Sequence, residues 1–396
     1  MSFYTLAVSS SNHNSSICLL RDNEIVVAYA CERTNRDKYT QRIKQQDIDV
    51  ISRYTTNIDL VVMVNMRLPE NDDNKLEIGS FDTSENVKDI KQRLLRAGIL
   101  FKKCFVDNGN HHLYHAAAGF YASNFTDAIC LVIDGIGTKW VKGGGTLSET
   151  TTIFYAKDTF TTLHKNLFYT PAGFNMTGWS DIILDKLSKT FTYPNVITPH
   201  VDIGKMFGTV TRHIGFRSSN EAGKTMGLAA YGEPNSLPKM LLDDSYTSDA
   251  NVFRNDSQLN TFLHPSFKNP SEQTKKNLAY NVQKALETVF IKRVEQALAI
   301  KQCDNLVIGG GCALNILGNS VIKKTFPHLN VFVEPIGSDV SQSVGAALYH
   351  YKRLFPNTKF TNLNTLYYGP EYSIVDTKSK LLKLVEQYNN ESNLPV

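Results

Sequence analysis

The sequence predicts an α/β protein of two duplicated lobes, residues 1–126 and 127–355, facing each other across a cleft, with a tail at 356–396. Two observations predict this. An order of three strands followed by alternating helices and strands runs from the N-terminus and begins again at residue 127. The chain, at 396 residues, is also long enough for two cores. The halves share the order of elements and no detectable sequence identity.

In the first lobe, "FYTLAVS", "SSICLL" and "EIVVAYA" read as three strands. A polar turn, "SSSNHNSS", joins the first two, and "RDNE" makes a tight hairpin between the second and third. A helix at "QQDIDVISRY", a strand at "DLVVMV", an amphipathic helix at "SENVKDIKQRLLRAGI" and a strand at "KKCFV" follow. The lobe ends in "NHHLYHAAAGFYAS", where Asp107, Asn108 and Asn110 are candidate N-cap residues and three alanines favour helix. In the second lobe, "DAICLVIDG", "TTTIFYA" and "FTTLHKNLF" repeat the three strands, and "VKGGGT" reads as a hairpin turn. A short helix in "EAGKTMGLAAYGEP", stopped by Gly232 and Pro234, precedes a long one at 273–300. The strands "NLVIGGG" and "NVFVEP" then alternate with the helices "CALNILGNSVIKK" and "SDVSQSVGAALYHYKRL".

Ligands in such sheets sit at the carboxyl ends of strands, so "SSSNHNSS" and "DGIGT" are expected to meet across the cleft. Both hold small and polar residues suited to phosphate, Gly135 among them. Composition narrows the partners. A hydrophobic fraction of 42% and a charged fraction of 20% describe an ordinary globular protein. A net charge of +4 without any Lys/Arg run argues against nucleic acid. No apolar run reaches the roughly 18 residues of a membrane span, and "MSFYTLAVSS" lacks the regions of a signal peptide. Six cysteines without C-x-x-C spacing read as buried free thiols, for which a reducing, cytoplasmic compartment is expected.

His111 and His115 are four apart, on one face of a helix. Asp134 ends a strand and Asp339 follows one at a helix start; each is either a site carboxylate or only a turn residue or cap. Two imidazoles with one or two carboxylates suit Fe2+, Mn2+ or Zn2+. His112, on another face, is expected to support the site from behind or to be satisfied in packing, and the histidines at 164, 200, 213, 264, 328 and 350 read as structural or surface groups. In "VIGGGCALN", Gly310 and Gly311 allow close backbone approach and Asn315 is placed to bond a ribose or purine. Lys224 either reaches a phosphate or sits on a solvated helix face. The same two readings hold for Glu32, Arg33, Arg36 and Lys38 in "ERTNRDK". Tyr114, Tyr121, Phe174 and Trp179 line the cleft or belong to the core.

Six segments in order, "HNSSICLLRDNEIVVAYACERTNRDK", "HHLYHAAAGFYAS", "LVIDGIG", "GTVTRHIGFRSSNEAGKTMGLAAYG", "GGGCALN" and "SDVSQSVGAAL", resemble the carbamoyltransferase family that includes the nodulation and antibiotic-tailoring O-carbamoyltransferases. The resemblance extends over about residues 5 to 350. The family's N-terminal part is similar to the tRNA threonylcarbamoyl transferases, which implies the actin/Hsp70/sugar-kinase (RNase H-like) fold. The resemblance implies a divalent metal, usually iron, on His111, His115, Asp339 and Asp134. It implies an adenylate held at Gly310, Gly311 and Asn315, with Lys224 and Gly135 as further nucleotide contacts. His13 would deprotonate an acceptor hydroxyl, and Arg36 or Lys38 would stabilise the carbonyl oxygen. The implied reaction moves carbamoyl from carbamoyladenylate to a sugar, aminosugar or nucleoside hydroxyl.

Family members continue into a YrdC-like domain that makes carbamoyladenylate from ATP and carbamoyl phosphate. Residues 356–396 leave room for a linker and one helix, so that domain is expected on a missing segment or a separate partner polypeptide. Three other readings stay open. A tRNA threonylcarbamoyl transferase fits less well with "DGIGTKW" and the doubled histidine of "HHLYH". An ATP-dependent kinase or ATPase of the same fold leaves the paired histidines unexplained. A non-catalytic, nucleotide-binding regulatory subunit is the third.

Overall fold

The computed structural model describes residues 2–10, 13–66, 87–142, 145–171, 192–198, 202–234, 269–361, 363 and 365–392. The first half forms β1 (Tyr4–Ser9), β2 (Ser16–Arg21), β3 (Glu24–Ala30), α1 (Glu32–Asn35), α2 (Gln45–Ile51), β4 (Asn57–Val64), α3 (Val87–Arg96), β5 (Leu100–Val106) and α4 (His111–Ser123). The second forms β6 (Ala128–Ile133), β7 (Lys139–Lys142), β8 (Gly145–Ala156), β9 (Phe160–Pro171), β10 (Asn195–Thr198), α5 (Ile203–His213), α6 (Ala222–Leu228), α7 (Glu272–Ile300), β11 (Asn305–Gly309), α8 (Ile316–Thr325), β12 (Asn330–Val333) and α9 (Ser341–Leu354). A tail helix, α10 (Ile374–Ser392), follows.

The two sheets are built alike. The first has the order β3-β2-β1-β4-β5 and the second β10-β9-β8-β6-β11-β12, with β7 hairpinned onto β8. In each, the first three main strands pair antiparallel and the next two add in parallel. The expected duplication is therefore present, with α1, β7 and the edge strand β10 as additions.

Strand alternation divides each sheet between two cores. On β6, Ile129, Leu131 and Ile133 pack with α5 and α7, while Ala128, Cys130 and Val132 pack with α4. On β1, Leu6 and Val8 join the core under α2 and α3, while Ala7 faces α9. The last helix of each half thus crosses to the other sheet. α4 covers the second sheet with Ala116 and Phe120, and α9 covers the first with Val344, Ala347 and Leu348. This exchange brings the N-termini of α4 and α9 together, where Gln342 Nε2 donates to the His111 carbonyl at 3.1 Å.

Some local expectations change. "CALNILGNSVIKK" is a 3-10 turn at Gly311–Leu314 followed by α8, because Asn315 caps α8 by accepting from Gly318 N–H at 2.9 Å. Asp339 does not cap α9, whose N-cap is Val340, so its carboxylate is left for the cleft. The tip of the glycine hairpin, Phe174, Trp179, His200 and His264 lie outside the described residues. All six cysteines are free, and Cys18, Cys31 and Cys130 are buried. Among the described residues, no helix is long and apolar enough to cross a membrane.

Candidate metal centre

His111 and His115 project from the first turns of α4, Asp134 follows β6, and Asp339 precedes α9. One ligand atom from each lies within 4.8 Å of the others, and all four residues are buried. His111 Nε2 is 3.1 Å from Asp134 Oδ2 and 3.5 Å from Asp339 Oδ1. His115 Nε2 is 3.7 Å from each carboxylate, beyond a hydrogen bond, and has no hydrogen-bond partner. Its other nitrogen, Nδ1, lies 2.9 Å from Ser341 Oγ, which fixes the ring. Asp134 Oδ1 accepts from Gly135 N–H at 2.7 Å and Gly311 N–H at 3.2 Å, turning Oδ2 toward the imidazoles.

The four groups are electrostatically coupled. Burial opposes charge on His111, but Asp339 and Asp134 outweigh it and lift its pKa to about 10. Burial likewise opposes charge on His115, which the same two carboxylates raise. Asp134 and Asp339 resist burial in turn: the imidazoles of His111 and His115, and for Asp339 also His13, hold both well below the usual carboxylate range. Two buried carboxylates need two positive charges, supplied by two imidazolium protons or by one divalent ion. The orphaned His115 nitrogen and the mixed N/O donor set fit Fe2+, Mn2+ or Zn2+.

Two cavities meet at this cluster. The larger, of about 800 Å3, is walled by Phe207, Met226, Leu286, Leu314 and Ile336. The smaller, of about 200 Å3, is lined by Asn65, Lys139, Lys205, Thr209 and Arg212. His13, Asp134, Gly135 and Asp339 line both, so the turns after β1 and β6 do face each other. His13 Nδ1 is 3.8 Å from Asp339 Oδ2, and its side chain is 37% exposed.

Other expected site residues fall differently. Gly310 has φ +83°, and a Cβ there would lie 2.5 Å from the Ile133 carbonyl, so its glycine is required by packing on β6; Gly311 lines the large cavity and Gly310 does not. Asn315 lines it too, but its amide bonds Gln283 and Gly318, which leaves one N–H donor for a ligand. Lys224 pairs with Glu221 on an exposed face and lines neither cavity. Arg36 and Lys38 are exposed and also line neither, because the chain turns at the left-handed Arg36 and Tyr39; Arg33 is the cation of that segment at the large cavity. His112 is buried, its Nδ1 2.7 Å from Thr152 Oγ1, and burial lowers its pKa to about 4. Sequence reasoning missed Ser341, Lys139, Lys205 and Arg212. A signal for the last two was present in "GKMFGTVTRH", where a lysine, a threonine and an arginine share a helix face.

Residues 83–348, more than half of the chain, match the model of the family described as carbamoyltransferase N-terminus, and the chain belongs to that family. It is 24% identical over 391 residues to an uncharacterized protein of Methanocaldococcus jannaschii, covering 96% of this chain and 62% of that protein. It is 23% identical over 388 residues to the nodulation protein NolNO of Sinorhizobium fredii, covering 91% and 49%. The chain thus spans about half to two thirds of the length of these two relatives. Full-length HypF in its phosphate- and nucleotide-bound form matches with a TM-score of 0.50 at 13% identity, covering 91% of this chain and 56% of that one. That likeness, with the duplicated sheet order, gives the actin/Hsp70/sugar-kinase fold.

Proposed function

We propose that this carbamoyltransferase-family chain performs the transfer step of an O-carbamoyltransferase, moving carbamoyl from carbamoyladenylate to an acceptor hydroxyl in the interlobe cleft. The observation that carries the reading is the buried His111–His115–Asp134–Asp339 cluster at the edge of a largely apolar cavity of nucleotide size. These four residues would hold a divalent ion, Fe2+ foremost, whose contribution when bound is to neutralise charge on the nucleotide phosphate and improve AMP as a leaving group.

The chain's own groups do the rest. Phe207, Met226, Leu286 and Leu314 hold the nucleoside and exclude water. Asn315, through its remaining N–H, orients the ribose or base. His13, at the junction of the cavities, accepts the proton from the acceptor hydroxyl as the new oxygen–carbon bond forms and the carbon–phosphate-oxygen bond breaks. Carbamoyladenylate would be supplied from ATP and carbamoyl phosphate by a YrdC-like partner domain or polypeptide.

The test gives metal-loaded protein chemically prepared carbamoyladenylate with a panel of sugar, aminosugar and nucleoside acceptors. Acceptor-dependent AMP release is expected, reduced about 10²–10⁴-fold in His13→Ala and lost in His115→Ala with the metal. AMP release independent of any acceptor, or phosphoryl transfer from ATP to the acceptor, would overturn the reading.

A further inference from the structure

Glu334 directly follows β12, is 3% exposed and has no part in the transfer step. Among the described residues it forms no ion pair. A buried carboxylate without a cation is costly and persists only where hydrogen bonds hold its charged form. Both oxygens are bound by backbone: Oε1 accepts from Ile336 N–H at 2.8 Å and Oε2 from Gly337 N–H at 2.7 Å. The carboxylate thus closes the turn between β12 and Asp339. Gly337 serves that turn at φ +55°, a left-handed conformation that favours glycine. Two residues further on stands Asp339. The Ser338 and Asp339 carbonyls then accept from Ser341 and Gln342 N–H at 2.8 and 3.1 Å, which ties the turn to the start of α9.

The same side chain reaches α4. A Cβ on Gly119 would lie 3.3 Å from Glu334 Cβ. His115 and Gly119 are four apart, so the Glu334 stem packs on the α4 face that carries His115, one helical turn on. Burial raises the Glu334 pKa, and the two backbone N–H groups, the nearby His115 and the Ser341 hydroxyl oppose that rise. Ser341 Oγ in turn lies 2.9 Å from His115 Nδ1. Carboxylate, hydroxyl and imidazole therefore stand in series.

The order of donors in that series decides what His115 can do. A neutral imidazole has one N–H and one lone pair. If Ser341 donates to Nδ1, the ring proton sits on Nε2 and blocks it as a ligand. If Ser341 gives its hydrogen elsewhere, its oxygen accepts from Nδ1–H. Nε2 then keeps its lone pair, 3.7 Å from both the Asp134 and Asp339 carboxylates. An ionised carboxylate can only accept, so beside Ser341 it selects the second order.

We propose that Glu334 is a positioning residue for the metal centre: it takes the hydrogen of the Ser341 hydroxyl, so that His115 presents an unprotonated Nε2, and it holds the turn that delivers Asp339. This role rests on reading the four-residue cluster as a metal site. It does not depend on which group the chain transfers.

Titration of the metal-free full chain with Co2+, read by visible absorption and by competition with a chelator, tests this. The parent protein is expected to bind Co2+, and His115→Ala to lose it. Glu334→Gln, whose amide can donate to Ser341 Oγ, should weaken Co2+ binding about 10–100-fold. Ser341→Ala should weaken it as well. The double variant should be about as weak as Glu334→Gln alone, because the serine acts on the ring that the glutamate already governs. A fold merely loosened in two places would instead give losses that multiply. Should Glu334→Gln fail to fold, as metal-free melting curves would show, Glu334→Asp replaces it in the same cycle, keeping an acceptor-only carboxylate one methylene short. Co2+ affinity unchanged in the Glu334 variant, or losses that multiply in the double variant, overturn the role of Glu334 and leave the metal centre standing. A parent chain that binds no Co2+, or binds it equally well in His115→Ala, overturns the metal centre and this role with it.

Discussion

Glu149 is only 1% exposed, yet its carboxylate pairs with Lys165, and its Oε2 accepts from Thr138 N–H at 3.0 Å. Thr138 Oγ1 in turn accepts from His111 N–H at 3.2 Å, so a chain of hydrogen bonds runs from this ion pair to the first turn of α4. Burial would raise the Glu149 pKa, but Lys165 and His112 hold it down to about 2, against an ordinary value of 4.5. A depressed carboxylate stabilises the fold above its unfolded pKa, and that contribution is lost as pH falls through the folded one, here between about 4.5 and 2. Lys165→Met leaves a buried carboxylate unpaired and is expected to destabilise by about 3–5 kcal/mol at pH 7. The sign then reverses with pH. In the variant the carboxyl pKa rises, so acid relieves the defect by protonation, and the gap from the parent protein should narrow by pH 4. Melting curves at pH 7 and pH 4 check this, and an equal difference at both values would refute it. Nothing in the sequence marks Glu149. Its partner lies across the β8–β9 hairpin, where a bulge after Glu149 shifts the register, and the run Thr150–Thr152 is fully buried although polar, so apolar alternation gives no guide. His111 and His115 were legible because helical spacing is local, and Asp134 and Asp339 because strand ends are where α/β sites form.

At the scale of elements, the site depends on how closely α4 and α9 approach. A Cβ on Gly345 would stand 1.9 Å from the Tyr114 carbonyl, so the two backbones touch at the turn between Ser341 and the rest of α9. Gly345→Ala must push the helices apart. Overpacking of this kind costs about 1–3 kcal/mol, and the displacement reaches Ser341, one helical turn earlier, and Asp339 just before the helix. The expected result is a lower melting temperature together with reduced metal bound per folded chain; an unchanged melting temperature would show that the helices can separate freely. The helix "SDVSQSVGAALYHYKRL" was legible as an element, but not its docking. Sequence periodicity shows that α4 and α9 have apolar faces without saying which sheet each will cover, and both cover the sheet of the opposite half. Likewise "ERTNRDK" marked a cationic segment, but the left-handed turns at Arg36 and Tyr39, which decide which cation meets the cleft, depend on tertiary bonds such as Tyr39 N–H to Glu32 Oε2 at 2.9 Å.

For the whole molecule, this exchange of helices has a thermodynamic consequence. Removing α4 from the second sheet would expose Ala116 and Phe120, and removing α9 from the first would expose Val344, Ala347 and Leu348, so each sheet loses the core on one of its faces if the other half unfolds. Tyr39 Oη also donates across the cleft to the Asn220 carbonyl at 3.3 Å. The two sheets should therefore melt as one cooperative unit despite their separate topologies. A ligand held between them then stabilises everything at once. AMP at 100 times its dissociation constant should add about 2.7 kcal/mol to the folded state, shifting a single calorimetric transition upward. Because His111 and Asp339 come from opposite halves of the chain and meet in the cluster proposed to hold the metal, chelation should both lower that transition and remove most of the AMP-dependent shift. Scanning calorimetry of the Mn2+-loaded and chelator-treated chain, each with and without AMP, separates these effects. Two resolved transitions would mean that the crossed helices do not couple the halves, and an AMP shift that survives chelation would mean that the nucleotide binds without reference to the metal centre.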